Sequence, residues 1–201
     1  MTFALWVSPG VSQQTQQKPS EAARSGTGFD PAAIRRQAAQ LAEFRKLLAD
    51  PDPSVRLLTM REALRAGDSS QRQLSIEAGL ASGESAMIEL ALRGVMMNIQ
   101  QIVIEFVDAE GKPTVEGGTA SLRLTVGQFN TETGQLSGPS ACGNQPKWSG
   151  QLQGTVFSFN ADNHWCSGTL TWVTESAEFL GRVNIYLGEA QGNRNGVWKP
   201  R

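Results

Sequence analysis

Residues 52–95 repeat themselves at an offset of sixteen, a period that leaves room for one helix and its turn per unit. Asp52, Asp68 and Glu84 open three successive segments; Leu58, Leu74 and Leu90 then fall in register, as do Met60, Ile76 and Leu92. A short helix cannot bury its apolar face alone, so such units must stack, share a core and leave a broad outer surface exposed. A surface of that kind suits docking. Nothing in the period names a substrate.

The helix boundaries are written in local chemistry. Asp30-Pro31 is a start signal, because the aspartate caps orphan amides and proline at the first helical position loses no hydrogen bond. Ile34, Ala38, Leu41, Phe44 and Leu48 then recur at three and four residues, which predicts an amphipathic helix to about Ala49. Asp50-Pro51-Asp52-Pro53 stops that helix and starts a second, with Val55, Leu58, Ala63 and Leu64 on its apolar face. Gly67-Asp68 introduces a third containing Leu74, Ile76, Ala78 and Leu80, and Ser82-Gly83 a fourth from Glu84 to about Met97.

The run Asp50-Pro51-Asp52-Pro53-Ser54-Val55-Arg56 entering a helix, followed by this Leu and Ala pattern, resembles HEAT-type repeats. The resemblance is confined to the helical half and implies antiparallel helix pairs serving as a protein-binding scaffold. The units here are short, and Gly79 and Gly94 sit inside two of them, so an ordinary four-helix packing unit is the other reading. Arg56 and Arg72 occupy equivalent repeat positions, as do Arg61 and Arg93. Projecting from one side of a stack, Arg56 and Arg72 are the protein-binding candidates, for an acidic peptide or a phosphate. Nine basic residues in 30–97 are balanced by nine acidic ones, which fits a mixed solvated face.

Composition changes near residue 98. Ten of the fourteen aromatic residues and fourteen of the twenty-one glycines lie beyond residue 97. Alternation takes over at Ile99, with Ile102, Ile104 and Phe106 on one strand face and a turn at Asp108-Ala109-Glu110-Gly111. Ala120, Leu122, Leu124 and Val126 predict a second strand, stopped by 130–134. Segments around 148–152, 155–159, 165–173 and 179–187 have similar lengths and turn-rich separators. The expectation is an α+β chain: a flexible leader over 1–29, a short HEAT-like helical stack over 30–97, and over 98–201 a small antiparallel β-sandwich or open barrel of five or six strands.

Ligand-binding candidates cluster in the β half. Trp148 and Trp165 offer flat faces for a sugar or peptide, with Asn160, Asp162 and Asn163 supplying hydrogen bonds. Trp165 and Trp172 are seven apart and point to opposite faces of one strand, so at least one belongs to the core. His164 is the sole histidine, which excludes a His-rich zinc site and a His-pair mechanism. Asn160, Asp162 and Asn163 fall short of the six to eight oxygens calcium usually takes, and the loop reads most simply as a hairpin turn. Glu105, Asp108, Glu110 and Glu116 invite comparison with a glycosidase carboxylate pair, but proximity in sequence does not establish opposed geometry. The chain has no phosphate-binding loop, dinucleotide fingerprint, zinc signature or nucleophile elbow. No catalytic residue, metal or cofactor is assigned.

Lys and Arg total 18 against 19 for Asp and Glu, so no net field draws the protein to nucleic acid or an anionic membrane. No apolar run reaches the length of a transmembrane helix. Cys142 and Cys166 suit a disulfide across a glycine-rich β domain, stabilising by about 2–4 kcal/mol. That bond would place the protein outside the cytoplasm, as a secreted, periplasmic or cell-surface chain; paired free thiols would suit a cytoplasmic one. The functional expectation is a noncatalytic protein-binding or structural assembly protein, with a carbohydrate-binding module or a small hydrolase as alternatives. A protein partner leads and a glycan is second.

Overall fold

The computed structural model describes residues 30–114, 121–141, 147–161, 166–187 and 190–200. Four helices come first: α1 Pro31–Leu48, α2 Pro53–Ala66, α3 Ser69–Ala81 and α4 Ser85–Met96. Among the described residues ten strands follow: β1 Gln101–Val107, β2 Ser121–Thr125, β3 Gln128–Phe129, β4 Gln135–Gly138, β5 Ser140–Ala141, β6 Trp148–Gln153, β7 Val156–Ala161, β8 Cys166–Val173, β9 Glu178–Leu187 and β10 Ala190–Trp198. The chain is α+β, with a single curled antiparallel sheet.

The sixteen-residue period marks helix starts. Asp52, Asp68 and Glu84 are the N-cap residues of α2, α3 and α4. Asp52 accepts from the Ser54 amide, and Asp68 forms a reciprocal capping box with Gln71. Glu84 makes no side-chain cap; the Ser82 hydroxyl instead accepts from its amide. Met60 and Leu92, from one repeat column, are buried. Leu58, expected on the apolar face of α2, is 57% exposed, because the packed face turns Met60, Ala63 and Leu64 inward instead.

The two helical glycines are points of closest approach. A Cβ at Gly79 would lie 2.5 Å from Met60 Cε and 2.7 Å from Ala91 Cβ, and one at Gly94 2.7 Å from Leu64 Cδ2. Ser75, fully buried in α3, has a hydroxyl without a hydrogen-bond partner among the described residues. A buried unmade hydrogen bond costs ~1–3 kcal/mol. Ser75→Ala is therefore expected to raise stability by about 1 kcal/mol, read as a higher urea midpoint at unchanged slope. A lower midpoint would show that the hydroxyl is satisfied.

Helix α4 joins the two halves. Met87 and Ala91 pack with Met60, Leu64 and Leu48, whereas Ile88, Leu92 and Met96 enter the core of the sheet with Ile102, Ile104 and Phe106. Apolar packing thus runs unbroken across residue 98. Arg93 fastens the same junction: its guanidinium pairs with Glu89 at 2.6 Å and donates to the carbonyls of Thr131 and Glu132 at 2.7 and 2.6 Å.

The sheet runs β3-β4-β6-β7-β8-β9-β10-β1-β2-β5. Its two ends belong to one hairpin. In the pairs Leu124↔Ala141, Thr125↔Ser140, Gln128↔Ser137 and Phe129↔Leu136 the residue numbers have a constant sum, so one register runs through β2/β3 against β4/β5. Val126-Gly127 and Gly138-Pro139 interrupt the ladder, since proline has no amide to give, yet Gly127 N still donates to Ser137 O. Because β2 also pairs with β1 and β4 with β6, the curled sheet meets itself through this hairpin. The open-barrel expectation is the relevant one, not two separate sheets.

Inward positions alternate along each strand and fill the interior with Phe106, Phe157, Phe159, Phe179, Trp148, Trp172 and Trp198. The expected strand count of five or six was too low. Strand β10 was missed because its inward positions include Gly192, Arg194 and Gly196 rather than an apolar series. A Cβ at Gly196 would press on Ile104 and Val183. Packing against β1 and β9 requires glycine there, and glycine reads as a turn.

Candidate functional site

The outer face of the sheet carries a shallow groove of about 850 Å³. Its lining has a regular origin in strand register. One row across the strands is Gln128, Ser137, Ser149, Asn160, Ser167 and Asn184; each pairs with the next on the neighbouring strand. A second row, two residues away along each strand, is Asn130, Gln135, Gln151, Ser158, Thr169 and Arg182. Between them lies the inward-facing row Leu136, Gly150, Phe159 and Gly168, whose backbone forms the floor.

The alternation of strand side chains produces this division, apolar groups turning inward and polar groups outward. The twist of a curled sheet narrows a barrel at its waist, which makes the outer surface concave along the strands. Glycine assists at the floor: a Cβ at Gly150 would lie 3.0 Å from the Trp148 ring, and one at Gly168 2.5 Å from the Phe159 ring. With strands ~4.8 Å apart, six strands give each row a span of ~24 Å. Hydroxyls and carboxamides dominate both rows, and Arg182 is the only charged residue among them.

The sequence candidates separate on this geometry. Asn160 lies in the groove, in the first row. Trp148 does not: it is 2% exposed, its ring meets Phe157 edge-on, and its indole Nε1 donates to Thr125 O at 2.8 Å. It is a core residue that ties β6 to β2, so the platform expected of it is not presented to solvent. Asp162, Asn163, His164 and Trp165 lie outside the described residues, as do Glu116 and Cys142. Cys166 is buried, and no described cysteine is free. Asp108 accepts from the amides of Glu110 and Lys112, a turn role. No group of three or more His, Cys, Asp or Glu that could hold a metal ion occurs among the described residues.

Arg56 and Arg72 share a structural contact. Arg56 donates to the carbonyls of Asp50 and Pro51 and pairs with Glu84 at 2.6 Å; Arg72 Nε donates to Gly67 O at 2.9 Å. Each reaches back to the carbonyl preceding its own N-cap, so the repeated arginine braces a helix entry. The Arg56 side chain, expected to project for docking, is 16% exposed and held in these contacts. Arg72 remains exposed.

The helical half has an apolar hollow instead, lined by Phe44, Leu47, Leu58, Ala63 and Ala66 across α1 and α2. Leu47 is 46% exposed. Glu62 stands at its edge, its carboxyl held below the usual range by a hydrogen bond from Arg65 and by that residue's charge.

Sequence reasoning missed the groove because its residues are individually unremarkable. Six strands contribute Ser, Thr, Asn and Gln at positions that only register aligns. No protein-family profile, curated protein or solved structure matches this chain.

Proposed function

We propose that the protein is a noncatalytic binding protein whose recognition surface is the polar groove of the sheet. The observation supporting this is the twelve-residue double row, eleven of whose members are uncharged hydrogen-bonding groups, held on strands over a packed core. Side chains on strands are positioned by their own ladder, so little ordering is needed on binding. Ser158 lies mid-groove and is exposed. Ser158→Tyr, compatible with a strand, fills it. With the folded full chain, the variant is expected to lose at least about tenfold in affinity for polysaccharides or polar peptides that the parent retains. Equal retention by parent and variant would remove the groove from the function.

The second reading, docking of a protein partner through the HEAT-like helices, is favoured by the apolar hollow between α1 and α2 and by the exposure of Leu47 and Leu58. Leu58→Glu would abolish such docking and leave groove binding intact.

An exported location forms part of the proposal, through a Cys142–Cys166 bond. No helix among the described residues is long and apolar enough to cross a membrane. Alkylation of the unreduced protein is expected to add no label by intact mass, and two labels only after reduction. Two labels before reduction would reject the bond and the location inferred from it.

A further inference from the structure

We infer that the groove takes a linear saccharide carrying an acidic group, with that group seated on Arg182. This inference rests on the proposal that the groove is the recognition surface, and it names the ligand class. A sugar hydroxyl both donates and accepts, and so do Ser, Thr, Asn and Gln; a surface of these residues matches a hydroxyl-rich chain without leaving either side short of partners. The two rows stand ~7 Å apart along the strands, which suits a narrow chain lying across them.

Other polymers fit less well. An anchored peptide needs apolar pockets for its side chains, and here Leu136 and Phe159 turn inward beneath a floor of backbone. A nucleic acid needs several cations and exposed aromatic faces, whereas the groove has one arginine and buries its neighbouring rings.

Arg182 supplies the acid specificity. It is exposed on β9, the last strand of the groove, with Thr169 as its cross-strand neighbour. Among the described residues no carboxylate pairs with it. A guanidinium presents parallel N–H groups that match a carboxylate bidentately, which an ammonium does not. One such group at the end of a neutral row reads one acid at one end of a polyhydroxylated footprint.

The test is calorimetric titration of the full chain with oligogalacturonate, alginate and hyaluronan oligosaccharides, each beside its methyl ester, which keeps the hydroxyls and removes the charge. At least one acid form is expected to bind about tenfold more tightly than its ester. Arg182→Gln should bring the two together, Arg182→Lys should recover part of the difference, and Ser158→Tyr should weaken both. Equal binding of acid and ester, or a preference that survives Arg182→Gln, overturns the assignment of Arg182. If no saccharide binds while another polar ligand is retained in a Ser158→Tyr-sensitive manner, the saccharide class fails and the groove reading stands. If nothing retained is sensitive to Ser158→Tyr, both fail.

Discussion

Gly138→Ala should destabilise the protein by ~3 kcal/mol or more, at or beyond the upper end of ordinary overpacking. The added methyl would run into the backbone carbonyl of Thr125 and the indole Nε1 of Trp148. Neither is the free end of a flexible side chain. Thr125 O is already held by Trp148 Nε1 at 2.8 Å, so relieving the clash breaks that hydrogen bond as well, at a further cost of about 1 kcal/mol. The site is also where β2/β3 and β4/β5 bring the ends of the sheet together, between Gly127 and Pro139. Against a typical total of 5–15 kcal/mol, such a loss takes much of the stability. Urea unfolding measures it, and amide exchange at Gly127 and Leu124 should quicken with it. A cost below ~1 kcal/mol would show that the hairpin is looser than its register implies.

Phe157→Ala is the second large effect, expected at ~3–5 kcal/mol. Phe157 is fully buried at the centre of an aromatic cluster. Its ring centroid lies 5.7 Å from Phe159 and from Trp198, and 6.5 Å from Trp148 and Phe179. Truncation removes apolar burial and leaves a cavity walled by rigid rings, which cannot collapse as a methionine-lined site would. The near-ultraviolet circular dichroism should weaken together with the denaturation midpoint, because Trp148 and Trp198 both lose a packing partner. A cost near that of a surface substitution would contradict the packed interior. Ser75→Ala is expected to move the midpoint the opposite way, a useful internal control on sign.

How far the fold was legible follows from what each residue needs. Caps are local: Asp30, Asp52 and Asp68 stand beside the amides they satisfy, and all three helix entries were readable. Strands with Ile102, Ile104 and Phe106 or Leu122 and Leu124 were readable by alternation, for the same reason. β10 was not, because the space available at Gly196 is set by Ile104 and Val183, residues distant in sequence. Nor was the joining hairpin, whose short ladders take their meaning from a register shared between β2/β3 and β4/β5.

The candidate site shows the same limit more sharply. Trp148 reads as a flat aromatic face for a ligand, but nothing local specifies that its indole finds Thr125 O, 23 residues away. The arginine repeat is legible as a repeat, but nothing local specifies that Arg56 turns back on Asp50 and Pro51. Asn160 alone among the described sheet candidates reached the groove. Its companions Ser149, Ser158, Thr169 and Arg182 carry no signal individually, because outward polar residues are the ordinary composition of a strand's solvent face.

Nuclear magnetic resonance mapping of the labelled full chain during titration with the tightest-binding oligosaccharide tests the central claim most directly. The account predicts that signals of Gln151, Ser158, Asn160, Thr169 and Arg182 move together along one binding curve, while the indole signals of Trp148, Trp172 and Trp198 and the amides of α1 and α2 stay in place. Movement confined to the indoles or to the helices, with the groove silent, would contradict it.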